Sequence, residues 1–159
     1  MRVVVAGGYG VFGSRLAELL RRDGHEVIVA GRDRARAEAL AAKLGCDALA
    51  VDIAAAPEAL FAAGPGVVVD AVGPFQGYAC DPYRLARLCI ANGADYLDFS
   101  DDAGFTAGIA ALDAEARAAG RRVLSGVSSV PAISSAVAAE LCKGLDEVLL
   151  IDSAILPGN

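Results

Sequence analysis

The feature that most restricts how this chain folds is a cluster of glycines near its start. The run Val3-Val4-Val5 precedes glycines at positions 7, 8, 10 and 13, and an Ala- and Leu-rich segment with helical periodicity follows at once. This order predicts a buried strand that turns directly into a helix. The turn therefore fixes the first strand and the first helix of an α/β fold.

Each glycine of this turn has a physical role. We expect Gly8 to take the backbone angles of a tight turn, Gly10 to let the main chain approach a pyrophosphate, and Gly13 to let helix and strand pack closely. Free N–H groups and the dipole at the helix start attract phosphates. Both the dinucleotide fingerprint and the wider spacing of short-chain dehydrogenases fit these glycines, so the spacing alone selects neither. The predicted cofactor contacts here are Gly7, Gly8, Tyr9, Gly10, Val11, Phe12 and Gly13.

Strand and helix patterns alternate along most of the chain. This alternation predicts one doubly wound α/β sheet, mostly parallel, with helices on both faces and strand order 3-2-1-4-5-6. After the first strand, which starts at Arg2, the predicted strands are 26–30, 46–51, 67–72, 95–99, 122–125 and 147–155. The predicted helices are 12–22, 34–44, 57–63, 82–91, 105–119 and 131–143, with Pro82 at the first position of the fourth.

The end of the second strand predicts the type of cofactor. An NAD-specific site places an acidic residue there, whereas Gly31 is followed here by Arg32. Arginine suits a 2′-phosphate, so NADP is favoured over NAD. Asp33 either binds the ribose or caps the next helix, and capping is the preferred interpretation. Arg34 and Arg36 could add positive charge.

Two further loops follow strands of the predicted sheet. Asp52 and Ile53 either meet the adenine, or Asp52 is a turn residue that caps the helix beginning at Pro57. The fourth strand leads into Val72-Gly73-Pro74-Phe75, at the switch point where nicotinamide and substrate meet. These four residues are predicted cofactor contacts, with Phe75 or Tyr78 free to pack on an aromatic ring, although both aromatics could instead belong to the core.

Catalytic residues are harder to assign. Tyr78, Asp101 and Asp102 are positioned for proton transfer at the same edge of the sheet. Ser128 and Ser129 precede a helix, where N-capping is the preferred interpretation because no histidine is near enough to activate a nucleophile. The one histidine, His25, follows a predicted helix end, so no metal site is expected.

Composition argues against several classes of protein and of partner. A net charge of −6 with only two lysines argues against nucleic acid as a partner. No apolar run is long enough to span a membrane, and no room precedes the first strand for a leader, so we expect a soluble, cytoplasmic protein. Without CxxC spacing the four cysteines are expected to be buried, reduced thiols: Cys46, Cys80, Cys89 and Cys142.

Five segments together resemble the N-terminal domain of the saccharopine dehydrogenase (saccharopine reductase-like) family. The most specific is Val72-Gly73-Pro74-Phe75-Gln76-Gly77-Tyr78. The others are Gly7-Gly8-Tyr9-Gly10-Val11-Phe12-Gly13, Ala30-Gly31-Arg32-Asp33, Tyr96-Leu97-Asp98-Phe99-Ser100 and Gly126-Val127-Ser128-Ser129-Val130-Pro131, the last of which departs from the family's usual Gly-Phe-Asp-Ser-x-Pro pattern.

The resemblance implies a pyridine-nucleotide oxidoreductase that transfers hydride between nicotinamide and a small substrate, and Arg32 makes NADP the favoured cofactor. It further implies a Rossmann domain over 1–146, with 147–159 leading to a second domain, absent here, that supplies substrate contacts and a homodimer interface. This fragment would then be inactive alone. One alternative is a non-catalytic nucleotide-binding or assembly module. A short-chain dehydrogenase or epimerase is disfavoured, because none of the four tyrosines is followed by the lysine of a Tyr-x-x-x-Lys pair.

Overall fold

The computed structural model describes residues 1–78 and 81–154. Its centre is a six-stranded parallel sheet in the order β3-β2-β1-β4-β5-β6, which confirms the predicted doubly wound fold. The strands are β1 (Arg2–Ala6), β2 (Glu26–Gly31), β3 (Asp47–Ala50), β4 (Val67–Asp70), β5 (Asp95–Asp98) and β6 (Val123–Leu124).

Helices cover both faces of this sheet. The α-helices are α1 (Val11–Arg22), α2 (Arg34–Leu44), α3 (Arg84–Ala91), α4 (Ala103–Gly108), α5 (Asp113–Ala118) and α6 (Ser134–Leu141), and 3-10 helices span Pro57–Ala63, Phe75–Gly77 and Ile109–Leu112. Within the described ranges, no helix combines the length and the apolar character needed to cross a membrane.

Alternating side chains of the strands divide the core into two layers. Val3 and Val5 of β1 pack with Ala17 of α1 and with Ala37 and Ala41 of α2. On the opposite face, a second cluster joins the strands to α3, α5 and the 57–63 helix, and its buried members include Val4, Val68, Tyr96, Leu60, Cys89 and Ala116. Near-continuous apolar strands are what a sheet buried on both faces requires.

Four predicted elements differ from the structure. The helix predicted over 105–119 consists of α4, a 3-10 turn and α5, and where α4 ends the Tyr83 hydroxyl donates to the Phe105 carbonyl and lies against Gly108. The fourth predicted helix begins at Arg84, not Pro82, since Asp81 holds a turn there by accepting from Tyr83 N–H.

Near the carboxyl terminus the differences are larger. The segment predicted as one helix from Pro131 is a π-helical turn at Ser129–Ile133 followed by α6, with a non-helical residue at Val130. Residues 147–154 form no strand and are exposed. Cys80 and residues 155–159 lie outside the described residues, whereas Cys89 is a buried free thiol and Cys46 and Cys142 are partly buried ones.

Candidate functional site

The glycine turn lies between β1 and α1 and is packed too tightly for side chains. Gly10 N–H donates to the Gly7 carbonyl over 2.8 Å, and a Cβ at Gly13 would lie only 2.3 Å from that same oxygen. The left-handed φ of +71° belongs to Gly7, so the expectation that Gly8 supplies the turn's special angles is wrong. Gly8 is instead required by contact, since its Cβ would meet Val5 O at 2.8 Å.

Helix α1 begins directly behind this turn. Its N-cap is Gly10, no side chain caps it, and no acidic residue lies in its first turn. Val11 and Phe12 are 84% and 73% exposed. The N–H groups that open a helix lack partners within the helix. Together with the dipole, they make this helix start suited to an anion.

Tyr9 links the turn to the loop after β2. Its ring lies over Gly31, where a Cβ would stand 2.3 Å from Tyr9 Cε1. The Tyr9 hydroxyl accepts a hydrogen bond from Asp33 N–H over 2.9 Å, and the Arg36 guanidinium carbon stands 4.6 Å from the ring centroid. We did not predict this stack from the sequence. It explains why position 31 is a glycine, because a side chain there would collide with the Tyr9 ring.

The loop after β2 contains the residues predicted to read the ribose. Arg32 is exposed at the strand end. Asp33 caps α2, with Oδ1 accepting from Arg36 N–H over 3.0 Å, as the preferred interpretation required. Arg34 lies on the exposed face of α2, where it pairs with Glu38. Arg36 is therefore the cation that lies over the Tyr9 ring, and Arg32 is an exposed cation that directly follows Gly31.

Asp52 forms a turn of its own after β3. Its Oδ1 accepts from Ala54 N–H over 3.0 Å, while the 57–63 helix has Ala56 as N-cap without a side-chain hydrogen bond. Asp52 is thus a turn residue, as one of the two alternatives had it, but it does not cap that helix. Ile53 packs against the core cluster. A role for either residue at the adenine stays a prediction.

The loop at residues 71–78, which we call the switch loop, contacts the glycine turn directly. A Cβ on Gly7 would lie 2.8 Å from the Ala71 carbonyl oxygen. Val72 is 41% exposed and Pro74 is exposed, whereas Phe75 is buried against Phe105, with ring centroids 5.1 Å apart. Phe75 therefore belongs to the core, and the expectation that its ring is free to pack on a ligand is wrong.

Two buried aspartates lie beneath the switch loop, and sequence analysis did not find them as a pair. Asp70 ends β4, Asp98 ends β5, the two are register partners, and both are fully buried. Asp70 accepts from Val72 N–H through Oδ1 and from the Tyr78 hydroxyl through Oδ2. The sequence did contain a signal for this pair, since an aspartate stands at the end of each of two apolar strands that are neighbours in the sheet.

Asp98 organises the loops on the other side of the pair. Its Oδ1 accepts from Ser100 N–H, Gly126 N–H and the Ser125 hydroxyl, all within 2.9 Å. Among the described residues, its buried Oδ2 has no hydrogen-bond partner. Burial and the carboxylates of Asp70 and Asp98 raise the pKa of Tyr96, so that its phenol stays protonated between them.

The predicted catalytic residues are distributed unevenly around this edge. Tyr78 donates to Asp70, and burial raises the pKa of its phenol, which makes it a weaker acid than free tyrosine. Asp102 caps α4 by accepting from Phe105 N–H, and Asp101 is exposed. Ser128 stands at an N-cap position without the expected side-chain hydrogen bond. In the described part of the chain, no three potential ligand side chains could hold a metal ion together.

The parallel sheet with a glycine turn at its switch point defines a Rossmann-type dinucleotide-binding fold. The chain belongs to the family described as the saccharopine dehydrogenase NADP binding domain, whose model matches residues 3–124. This match confirms the family and the NADP cofactor predicted from the sequence. No curated protein matches the chain.

Solved structures give the same fold. Apo saccharopine dehydrogenase (L-Glu forming) from Saccharomyces cerevisiae is 23% identical with a TM-score of 0.71, over 88% of this chain and 30% of that one. GenD2 from gentamicin A biosynthesis, in complex with NAD, is 26% identical with a TM-score of 0.62, over 91% and 39%. 3-hydroxyacyl-CoA dehydrogenase type-2 from Mycobacterium avium is 19% identical with a TM-score of 0.63, over 78% of this chain and 71% of that one. The chain thus spans 30% of the length of the yeast enzyme.

Proposed function

We propose that this chain holds NADP across the switch point of its sheet, for hydride transfer to or from a small substrate in a longer protein. The observation that carries the proposal is the uncapped start of α1 behind a turn in which Gly7 and Gly13 leave no room for side chains. A diphosphate there accepts from the N–H groups of the first helical turn. The family match supports the same cofactor.

The loop after β2 supplies the specificity for the 2′-phosphate. Arg32 is exposed at the strand end, and the Arg36 guanidinium lies over the Tyr9 ring beside it. The one carboxylate of the predicted loop, Asp33, is engaged in capping α2. Two guanidinium groups near a capped helix start favour a phosphate over a ribose hydroxyl.

The nicotinamide end of the cofactor would lie between the start of α1 and the switch loop. Phe12 and Val72 expose apolar surface there, and Gly73 and Pro74 follow. When bound, the cofactor supplies the hydride chemistry. The chain's own residues orient the ring and limit its contact with water.

The proton donor and the substrate contacts come, in this proposal, largely from the rest of the protein. Tyr78 and Asp102 are already engaged with Asp70 and the start of α4, and only Asp101 stands exposed. We therefore expect the chain alone to bind the cofactor without turnover. The substrate is a small molecule, and the residues that select it lie in the rest of the protein.

A second domain would also cover an apolar surface near the carboxyl terminus. Helix α6 has no buried residue, and large apolar side chains are exposed on it and after it. They include Ile133, Val137, Leu141, Leu145, Leu149, Leu150 and Ile151. We propose that residues 1–146 form the dinucleotide-binding domain and that 147–159 lead into a domain that provides the substrate site and a homodimer interface. The free thiols are in keeping with a cytoplasmic location.

Calorimetric titration with NADPH and NADH tests the cofactor proposal. We expect NADPH to bind more tightly, and Arg32→Ala to weaken NADPH about tenfold, the loss of a charge-assisted hydrogen bond, while NADH changes less than about twofold. Arg117→Ala removes the same charge on α5 and is the control. Tighter NADH binding, or unchanged NADPH binding in Arg32→Ala, would contradict the assignment.

Turnover by the full-length protein decides between the oxidoreductase and a module that only binds nucleotide. Oxidation of NADPH in the presence of a reducible substrate, found by screening imines and carbonyl compounds, supports the enzyme. Tight binding with no turnover on any substrate by the full-length protein would favour the binding module.

A further inference from the structure

Asp70 lies where a single side chain can control the switch loop. It is fully buried at the end of β4, on the same face of the sheet as Tyr96 and Asp98. A buried carboxylate is costly unless it is well hydrogen-bonded. The place and the partners of Asp70 therefore call for an explanation beyond packing.

The two oxygens of Asp70 bind the two ends of the switch loop. Oδ1 accepts from Val72 N–H over 3.0 Å, at the start of the loop, and Oδ2 accepts from the Tyr78 hydroxyl over 2.8 Å, at its end. Between them, Phe75 is fixed by contact with the rings of Tyr78 and Phe105. One carboxylate thus holds both ends of the switch loop by hydrogen bonds.

The switch loop is also in contact with the phosphate side of the site. The Ala71 carbonyl packs so closely on Gly7 that a Cβ there would lie 2.8 Å from its oxygen. A change in the conformation of residues 71–78 would therefore alter the wall next to the glycine turn, which would face the nicotinamide in the proposed function.

We propose that Asp70 is a positioning residue for the nicotinamide half of the cofactor, its ionised carboxylate holding the switch loop in the conformation that accepts this ring. The proposal rests on the proposed function, since it needs a dinucleotide in the site. It makes no demand on the adenosine half, which would be held by the loop after β2, on the other side of β1.

The electrostatics of the cluster support this role. Burial, reinforced by the Asp98 charge on β5, raises the pKa of Asp70 to about 6, although the bonds from Val72 and Tyr78 lower it. The other titratable groups around it are the phenols of Tyr78 and Tyr96 and the thiol of Cys89 on α3, whose pKa values are all raised. These three stay neutral near pH 6. Protonating Asp70 replaces charge-assisted hydrogen bonds with weaker neutral ones, so nicotinamide binding weakens as the pH falls through about 6.

Two variants and two ligands test the proposal. Asp70→Asn changes the charge, and Tyr78→Phe removes only the hydroxyl that Asp70 binds. NADPH contains the nicotinamide, whereas 2′,5′-ADP contains only the adenosine and the 2′-phosphate. At pH 7.5 we expect each variant to weaken NADPH five- to tenfold, the value of about one charge-assisted hydrogen bond, and to leave 2′,5′-ADP within about twofold.

Tyr83→Phe is the matched control. It also removes a hydroxyl hydrogen bond from the same aromatic cluster, the bond to the Phe105 carbonyl, but it leaves the switch loop tied. We expect it to bind both ligands as the native protein does. If Asp70→Asn does not fold, Tyr78→Phe carries the test alone.

The pH profile separates positioning from a purely structural effect. NADH serves here because it lacks the 2′-phosphate, which itself titrates near pH 6. Native protein should lose affinity for NADH as the pH falls from 7.5 to 5.5, and Asp70→Asn should show little change. The inference is overturned if the variants weaken NADPH and 2′,5′-ADP equally, if they weaken neither, or if Asp70→Asn retains the native pH profile. A native protein that binds neither ligand overturns the proposed function as well.

Discussion

Asp70 makes a prediction about stability that needs no cofactor. Its pKa in the folded protein is raised from 3.8 to about 6, chiefly by burial. The folded state therefore holds this proton more tightly than the unfolded chain does. The resulting stabilisation is fully present below pH 3.8 and is lost as the pH rises through about 6, which is opposite to the usual behaviour of a salt-bridged aspartate.

The size of the effect follows from the shift. Each pKa unit corresponds to about 1.4 kcal/mol, so the whole shift is worth about 3 kcal/mol. An unfolded aspartate is already more than half ionised at pH 4, so the free energy of unfolding should fall by about 2 kcal/mol through this group between pH 4 and pH 7. Asp70→Asn cannot titrate there, and the difference in unfolding free energy between native protein and variant should therefore change by about 2 kcal/mol over that range.

Urea denaturation followed by circular dichroism, repeated from pH 4 to pH 7.5, measures this difference. Asp101→Asn is the control, because it makes the same substitution at an exposed position in a neighbouring loop. Its curve should run parallel to that of the native protein. Parallel curves for Asp70→Asn as well, or a difference of opposite sign, would refute the argument that this buried carboxylate carries a raised pKa.

Two further substitutions test the local architecture. Gly13→Ala places a Cβ 2.3 Å from the Gly7 carbonyl oxygen, so the unfolding free energy in urea should fall by about 1–3 kcal/mol, whereas Gly66→Ala, with its nearest atom at 3.6 Å, should cost less than about 1 kcal/mol. Equal costs would contradict the close packing of the turn. Asp33→Ala removes the cap of α2 and should cost about 1 kcal/mol in thermal unfolding, which Asp33→Ser should largely restore. An unchanged melting temperature in Asp33→Ala would show that the cap is unimportant.

Local patterns were enough to predict the sheet and most of its elements. The strand order follows from alternating strand and helix patterns, and α2 and the 57–63 helix have the predicted bounds because a capping aspartate, a proline and terminal glycines mark them. The single helix predicted over 105–119 was wrong: the segment is interrupted where Tyr83 approaches from another part of the chain, a contact that local periodicity does not reveal.

The same distinction applies to the site. The glycine turn was predicted, but which glycine takes the left-handed φ depends on how the chain leaves β1, and that glycine is Gly7. The stack of Arg36 on Tyr9 and the pair of Asp70 and Asp98 join residues far apart in sequence, so periodicity does not reveal them. The order of the strands was predicted, whereas these side-chain contacts between distant segments were not.

The most direct test of the central claim is a crystal structure of this protein with NADPH. We predict the diphosphate against the N–H groups of Val11 and Phe12, the 2′-phosphate within hydrogen-bond distance of Arg32, and the nicotinamide beside the switch loop. A dinucleotide bound away from the glycine turn, or a 2′-phosphate directed away from the loop after β2, would contradict the account.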